Sequence, residues 1–306
     1  MKYGKHPEER TVEELIEKGL ILLDKPSGPT AHEVVAWIKK ILNIKKAGHS
    51  GTLDPHVTGV LPVATEKATK VLKLMLESDK EYICAMHLHR SVSEEKLREI
   101  CREFTGKIYQ KPPVKSAVKR KLRVKEIKNI EILEIEERDV LMRISCEAGT
   151  YIRKLCYDIG EALGVGANME DLRRTRVGHI GEKDLVTLQD LLDAYIFWKE
   201  ENIETEIRRC ILPIEEGINI PKIWIKDTAV NAICYGAKLM TAGVERCEEV
   251  GVGKRVAIMT LKNELVALGK TAMTCRDMME KEGIAVVPET VIMERDVYPK
   301  FWKINQ

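Results

Sequence analysis

Aromatic residues are scarce. Three Phe, four Trp and eight Tyr make up 5% of the 306 residues, so any core must be built mainly from aliphatic side chains. Long apolar runs are missing too. No stretch approaches the roughly 18–20 residues of a membrane-spanning helix, and residues 1–10 hold no apolar core of a secretory signal; an intracellular soluble protein is expected. Cysteine occurs eight times but never in a C-x-x-C spacing, which argues against a zinc ribbon and for buried free thiols instead of a disulfide framework. There is no repeat of fixed period and no low-complexity segment, so a solenoid is excluded. Nor is there a large excess of either charge: the formal net charge is +2, and bulk composition does not by itself announce a nucleic-acid partner.

What the chain does have is local. Eight cations, Lys107, Lys111, Lys115, Lys119, Arg120, Lys121, Arg123 and Lys125, follow one another with no acid among them, whereas residues 131–139 are predominantly acidic. With Pro112 and Pro113 near its centre, the basic run is expected to be an exposed loop, either solvated or in contact with phosphates. A second concentration is Gly48-His49-Ser50-Gly51-Thr52-Leu53-Asp54-Pro55-His56-Val57-Thr58-Gly59-Val60-Leu61-Pro62. Three glycines and two prolines surround one carboxylate, and the whole segment is expected to be a shaped loop, not a helix interior or central strand. Pro55 biases Asp54 towards extended backbone, so the loop can present one acid in a fixed direction.

Periodicity places these segments on a mixed frame. Residues 20–24 read as a buried strand running into the Lys25-Pro26-Ser27-Gly28-Pro29 turn, with Thr30 capping a helix over 31–42. A lysine at a strand end, like Lys25, is ordinarily a solvated turn residue, although sites also assemble there. Residues 65–77 read as a helix. Residues 81–89 alternate as a strand with Tyr82, Cys84, Met86 and Leu88 on one face; His87 and His89 share the other without a third metal ligand of matching spacing. Ser93 caps a helix ending near Phe104, residues 122–135 and 140–146 read as strands, and Thr150 is expected to cap a helix reaching Leu163. Arg153 falls in its first turn, where the helix dipole opposes a cation, so it needs an anionic partner or simple exposure. Leu172-Arg173-Arg174-Thr175-Arg176 reads as a strand whose three arginines could face phosphates or carboxylates. Residues 187–198 form an amphipathic helix, and a smaller β-rich domain begins near residues 215–220.

Leu23-Asp24-Lys25-Pro26-Ser27-Gly28, His49-Ser50-Gly51-Thr52-Leu53-Asp54-Pro55 with Gly59-Val60-Leu61-Pro62, and Gly149-Thr150-Tyr151-Ile152-Arg153, in this order, closely resemble the tRNA T-loop type pseudouridine synthases. Lys111-Pro112-Pro113-Val114-Lys115-Ser116-Ala117-Val118-Lys119-Arg120, Leu172-Arg173-Arg174-Thr175-Arg176, Gly236-Ala237 and Gly243-Val244 resemble the archaeal and eukaryotic branch. That branch is the dyskerin family, the catalytic subunit of H/ACA guide-RNA particles. The resemblance covers about residues 11–302. It implies an α+β fold: a pseudouridine synthase catalytic domain on a curved, mainly antiparallel sheet, plus a small β-rich PUA pseudo-barrel. The domains expected are an N-terminal arm (1–18), the catalytic domain (19–217) with a thumb-like basic loop (107–125), the PUA domain (218–294) and a C-terminal tail (295–306).

The resemblance also implies roles. Asp54 is the catalytic carboxylate, Arg153 its ion-pair partner, and Tyr82 a catalytic residue that stacks on the target base or takes part in the later proton transfer from C5, stacking being favoured because an unperturbed phenol is a poor base at neutral pH. Whether Asp54 attacks C1′, attacks C6 or assists proton removal from the ribose stays open. His49 sits beside the flipped nucleotide, and Lys25, Tyr151 and Leu172 support the pocket. Lys111, Lys115, Lys119 and Arg120 are expected to meet RNA from the thumb, and Lys238, Arg255 and Lys262 from the PUA domain. No metal and no other cofactor is expected. The implied partners are an H/ACA guide RNA, an rRNA or tRNA substrate and small accessory H/ACA proteins, with no membrane. The absence of long Lys-rich tails points to an archaeal cytoplasmic protein; a eukaryotic one would be nucleolar. Two alternatives are a stand-alone tRNA enzyme and a non-catalytic RNA-binding scaffold.

Overall fold

The computed structural model describes residues 3–111 and 121–300. They form two compact units. One joins Ile21–Val63 to Leu72–Asn202; the other gathers the described residues of Met1–Leu20, Ala64–Val71 and Ile203–Gln306.

Local signals account for the first elements. Thr11 and Glu14 form a reciprocal capping box that starts α1 (Val12–Glu17), satisfying amide donors that the first helical turn leaves free. The apolar run becomes β1 (Gly19–Lys25). Thr30 and Glu33 box the start of α2 (Ala31–Ile41), which buries Ala31, Val34, Val35 and Ile38 at helical spacing. Next come β2 (Ala47–His49), β3 (Thr58–Thr65), α3 (Leu72–Glu77) and β4 (Lys80–Leu88). They are followed by α4 (Glu94–Glu103), β5 (Gly106–Gln110), β6 (Arg123–Glu136), β7 (Asp139–Cys146), α5 (Ile152–Leu163), β8 (Ala167–Val177) and α6 (Leu188–Glu201).

In the first unit the strands run in the order β5-β6-β7-β4-β8-β3-β1, with β2 beside β3. The β4–β7, β4–β8, β5–β6 and β6–β7 pairs are antiparallel, and β3–β8 is parallel, in keeping with the mainly antiparallel sheet expected. β4 buries Lys80, Tyr82, Cys84, Met86 and Leu88 on alternate positions, and α5 lies against β8 and β4, where the thiols of Cys84 and Cys156 approach to 3.5 Å.

Three expectations need correction. Residues 48–62 are not loop throughout: from Thr58 they build β3, between β8 and β1 in the sheet order. Gly59 takes φ 99°, and a Cβ there would stand 2.2 Å from the Arg174 carbonyl oxygen, so glycine permits the close strand approach. Pro62 contributes its carbonyl, which accepts the Ser50 N–H at 3.0 Å. Residues 65–77 are not one helix, because Thr65 ends β3, Glu66 adopts φ 36°, and Glu66–Val71 is a 3-10 segment before α3. The basic run is not one loop either. Lys107 lies in β5, Arg123 and Lys125 lie in β6, and the two strands pair from Gly106↔Ile127 to Gln110↔Arg123.

The second unit contains α1, α7 (Thr205–Cys210) and β9 (Leu212–Pro213), which pairs with the start of β1 through Gly19↔Pro213. It continues with β10 (Lys222–Ile225), α8 (Asp227–Cys234), β11 (Leu239–Met240), β12 (Val244–Cys247) and β13 (Arg255–Thr260). β14 (Leu265–Thr271), α9 (Cys275–Glu280) and β15 (Ile284–Val291) complete it. The order β11-β15-β14-β13-β10-β12 carries a mainly aliphatic core that includes Ile223, Ile225, Val256, Ile258, Val266 and Val286, with Met278, Met293 and Tyr298. The amino-terminal residues are tied into this unit. Arg10 donates to both Glu215 carboxylate oxygens at 2.8 and 2.7 Å, and Lys262 donates to the Gly4 carbonyl at 2.8 Å. Here the cysteine reading is corrected in part: Cys247 and Cys275 form a disulfide, while the other six are buried free thiols. The separation of 28 residues carries no pairing signal until β12 and α9 are packed together.

Candidate active site

Asp54 sits on a fastened turn. The Val57 N–H donates to the Asp54 carbonyl at 3.0 Å, closing a four-residue turn with Pro55 at the second position, where its fixed φ is favoured. From the end of β1, Lys25 donates its Nζ to the carbonyls of Pro26 (2.8 Å), Pro55 (2.9 Å) and Val57 (2.9 Å). The Gly28 N–H adds a bond to the Pro55 carbonyl at 2.9 Å. Lys25 is fully buried, so it is not the solvated turn residue its position suggests. Burial depresses its ammonium below the ordinary lysine value, and the Asp54 carboxylate opposes that shift. Each bond from a charged donor contributes about 1.5–3 kcal/mol, so three of them offset much of the desolvation.

Arg153 arrives from the other side. α5 starts at Ile152 with Tyr151 as its N-cap and no side-chain cap bond. Thr150 does not cap: its hydroxyl donates to the Glu147 carbonyl at 2.7 Å, which also accepts the Thr150 N–H at 3.3 Å. The Arg153 guanidinium meets the Asp54 carboxylate at 2.7 Å, and both side chains are more than half exposed, at 59% and 51%. The carboxylate supplies the anionic partner that a cation in a first helical turn lacks. An exposed pair of this kind contributes only about 0–1 kcal/mol to stability. Its orientation matters more than its strength.

Arg174 is the residue that sequence reasoning missed. It is almost fully buried on β8, donates to the Val60 carbonyl at 2.8 Å and the Gly51 carbonyl at 3.3 Å, and stands opposite Tyr82 across the β4–β8 pair. It thereby connects the Asp54 loop, β3 and β4. Burial lowers the guanidinium from its ordinary value; Tyr82 opposes this. Tyr82 is 9% exposed, and burial raises its phenol, against the pull of Arg174. Leu172, two residues before Arg174, is buried opposite Cys84. The neighbouring arginines also face carboxylates: Arg173 binds both oxygens of Asp24 at 3.0 Å, and Arg176 approaches Glu81 at 3.4 Å. Of the trio, Arg173 and Arg176 thus meet carboxylates, while Arg174 meets carbonyls.

His49 lies at the end of β2. Its ring meets that of His32 edge-on at 5.1 Å, and its Nδ1 accepts the Gly51 N–H at 3.3 Å. Burial, then His32 and Arg174, push it down to about 4, so it is neutral near pH 7. Tyr151 is partly buried. Among the expected RNA contacts, Lys111 and Lys238 are exposed, Arg255 is 4.0 Å from Glu289, and Lys262 binds the Gly4 carbonyl. Lys115, Lys119 and Arg120 lie outside the described residues. Lys125 faces the protein, donating to Glu147 and to the Ala148 carbonyl. His87 pairs with Asp139, and His89 with Asn168. Among the described residues no group of three or more His, Cys, Asp or Glu side chains could hold a metal ion, and no helix is long and apolar enough to cross a membrane.

Known proteins with this organisation identify the class. The TruB family pseudouridylate synthase N-terminal domain matches residues 39–152, the tRNA pseudouridylate synthase B C-terminal domain residues 153–219, and the PUA domain residues 221–292. A DKCLD (NUC011) domain matches residues 1–35. The fold and these matches define an RNA pseudouridine synthase, an isomerase with a PUA domain. The probable tRNA pseudouridine synthase B of Methanopyrus kandleri is 57% identical over 307 residues, spanning 99% of this chain and 91% of its own. That of Pyrococcus furiosus is 56% identical, spanning 98% and 90%. A solved chain of a Cbf5-Nop10-Gar1 complex matches with TM-score 0.91 and 56% identity, over 98% of this chain and 92% of that one. A chain of an H/ACA RNP bound to a substrate RNA containing 2'-deoxyuridine matches with TM-score 0.91 and 54% identity, over 98% and 93%. The chain belongs to the TruB family of pseudouridylate synthases, on the branch that carries the DKCLD domain.

Proposed function

We propose that the chain isomerises uridines of rRNA as the guide-directed catalytic subunit of an H/ACA ribonucleoprotein. The observation that carries this reading is the half-exposed Asp54–Arg153 pair on its braced turn, within a chain 54–56% identical to solved members of such assemblies. The reaction breaks the N1–C1′ bond of uridine, turns the detached uracil and rejoins it through C5, which gives up its proton while N1 gains one. Asp54 is the carboxylate at the reacting sugar and base, and Arg153 fixes its direction and balances its charge. Tyr82 offers its ring as a stacking face, and burial raises its phenol. His49, neutral and held beside the loop, fills the gap left when the target leaves its stack, a step that costs a few kcal/mol unless a guide duplex already leaves the base unpaired. Lys25, Tyr151 and Leu172 support the pocket. Lys111, Lys115, Lys119 and Arg120 meet the RNA backbone, while the PUA domain, with Lys238, Arg255 and Lys262, holds the guide, so base pairing reads sequence and the protein reads shape and phosphates. Small accessory H/ACA proteins complete the particle, and the working compartment is the cytoplasm.

A second reading is favoured by the names of the relatives, probable tRNA pseudouridine synthase B: guide-free isomerisation of a tRNA T-loop uridine. One experiment separates the two. Pseudouridine formation is measured by mass spectrometry on an rRNA target with and without matched guide and accessory proteins, and on a tRNA transcript with the protein alone. Guide-dependent conversion of the rRNA target is expected, and Asp54→Ala or Asp54→Asn lowers it by at least about a thousandfold while guide RNA still binds. Turnover by these variants within about tenfold of the parent, a difference of only about 1.4 kcal/mol in barrier, would sink the assignment of Asp54.

A further inference from the structure

We infer that Gln110 is a positioning residue for Arg153, acting through the backbone of Tyr151. The inference rests on the reading of Asp54 and Arg153 as the reacting pair. Gln110 is the last residue of β5 and is 1% exposed. Its Nε2 donates to the Tyr151 carbonyl at 3.1 Å, and its Oε1 accepts the Tyr151 N–H at 2.9 Å. One side-chain amide thus takes both backbone groups of one residue, as a residue on a neighbouring strand would. An amide side chain offers a donor and an acceptor side by side in one plane, the arrangement these two backbone groups require.

The residue so gripped is the N-cap of α5, where the chain is still extended (φ −99°, ψ 101°) and no side chain caps the helix. The Tyr151 carbonyl also accepts the helical N–H of Leu155 at 3.0 Å, so the peptide that Gln110 holds is part of the first helical turn. Arg153 stands in that turn, two residues further on. Lys125, from β6, holds the same bend one step earlier through the Ala148 carbonyl at 2.6 Å. The hairpin of β5 and β6 therefore fixes the bend at two points, and the second sets the direction from which Arg153 reaches Asp54. A rotation of the Tyr151 peptide would swing the Arg153 guanidinium off the carboxylate, and an error of about 1 Å in a reacting constellation lowers rates by up to a hundredfold.

The test uses the full chain and the RNA substrate established by the guide comparison. Single-turnover rate at saturating RNA, RNA affinity and thermal melting are measured for Gln110→Met, which removes both bonds at similar volume, and for Gln110→Glu, which keeps an acceptor but loses the amide donor. The expected result is a rate lower by about ten- to a hundredfold with RNA affinity unchanged within about twofold, and, in a crystal structure of Gln110→Met, an Asp54–Arg153 separation beyond about 4 Å, the limit of an ion pair. An unchanged rate, a loss confined to RNA affinity, an intact pair in the variant, or failure of both variants to fold each overturns the inference. Asp54→Ala is run alongside. If it retains the parental rate, the reading of the site fails; if it is inactive while the Gln110 variants keep the parental rate, only the positioning role does.

Discussion

His49 shows how the site sets the charge of a residue that sequence alone leaves undetermined. Burial first, then His32 and Arg174, bring its folded value to about 4 from the ordinary 6.5. Between those two values the unfolded chain binds more protons than the folded one, so stability contributed at this position is full above pH 6.5 and lost on acidification towards 4. His49→Gln is accordingly expected to shrink the loss of denaturant stability between pH 7 and pH 4.5, and a titration of the His49 ring by NMR should give a midpoint near 4. A midpoint near 6.5 would refute this account. At the same scale, local rules marked Asp54 as the lone acid among backbone breakers but left Arg153 with either an anionic partner or simple exposure; the structure supplies the partner, Asp54. The bracing role of Lys25 was not legible from its position, because a strand-end lysine is usually wet and nothing local shows that three carbonyls converge on it. Arg174 had a usable signal in strand parity. It stands two residues after Leu172 on β8, so both point to the same, buried face.

Among the elements, helix starts were legible where a Ser or Thr cap is a local device; α2 and α4 begin at Thr30 and Ser93 as read, whereas Thr150 does not cap α5. Strands that depend on their neighbours were harder to read. β3 contains Gly59 and Pro62, which local rules count against a central strand, yet it is accommodated because β8 approaches closely at that glycine. β5 was hidden in a basic run, since its pairing with β6 is a tertiary fact. The link between β12 and α9 by Cys247 and Cys275 belongs to this scale too. Closing a loop of this length contributes about 3–4 kcal/mol through the unfolded state. Reduction, or Cys247→Ser, is therefore expected to lower the denaturant stability of the unit carrying the PUA domain by about that amount. Superimposable unfolding curves with and without reductant would show that the bond contributes nothing.

At the scale of the whole chain, residues far apart in sequence converge on one carboxylate. Glu294 accepts from Lys18 at 2.5 Å and from Lys67, which also meets Glu17 at 2.6 Å, all within the second unit. Burial raises the Glu294 carboxyl, but the hydrogen bonds from Lys18 and Lys67 outweigh this and bring it down to about 2 from 4.5. The folded value lies below the unfolded one, so this stabilisation is present above pH 4.5 and is lost as pH falls to about 2. Glu294→Gln should lessen the dependence of stability on pH across that window, read by chemical denaturation at several pH values; an unchanged acid limb would refute the assignment. The sequence by itself determined the α+β class and the family, because the motifs that carry them lie in short segments whose spacing and chemistry survive without a fold; that Asp54 and Arg153 meet is a fact of the folded chain. Only the tertiary structure decided which cations are braces: Lys25, Lys125 and Arg174 turn inward onto carbonyls while Lys111 and Lys238 face outward. That choice depends on which carbonyls the folded backbone leaves open, and carbonyl positions are a property of the assembled chain.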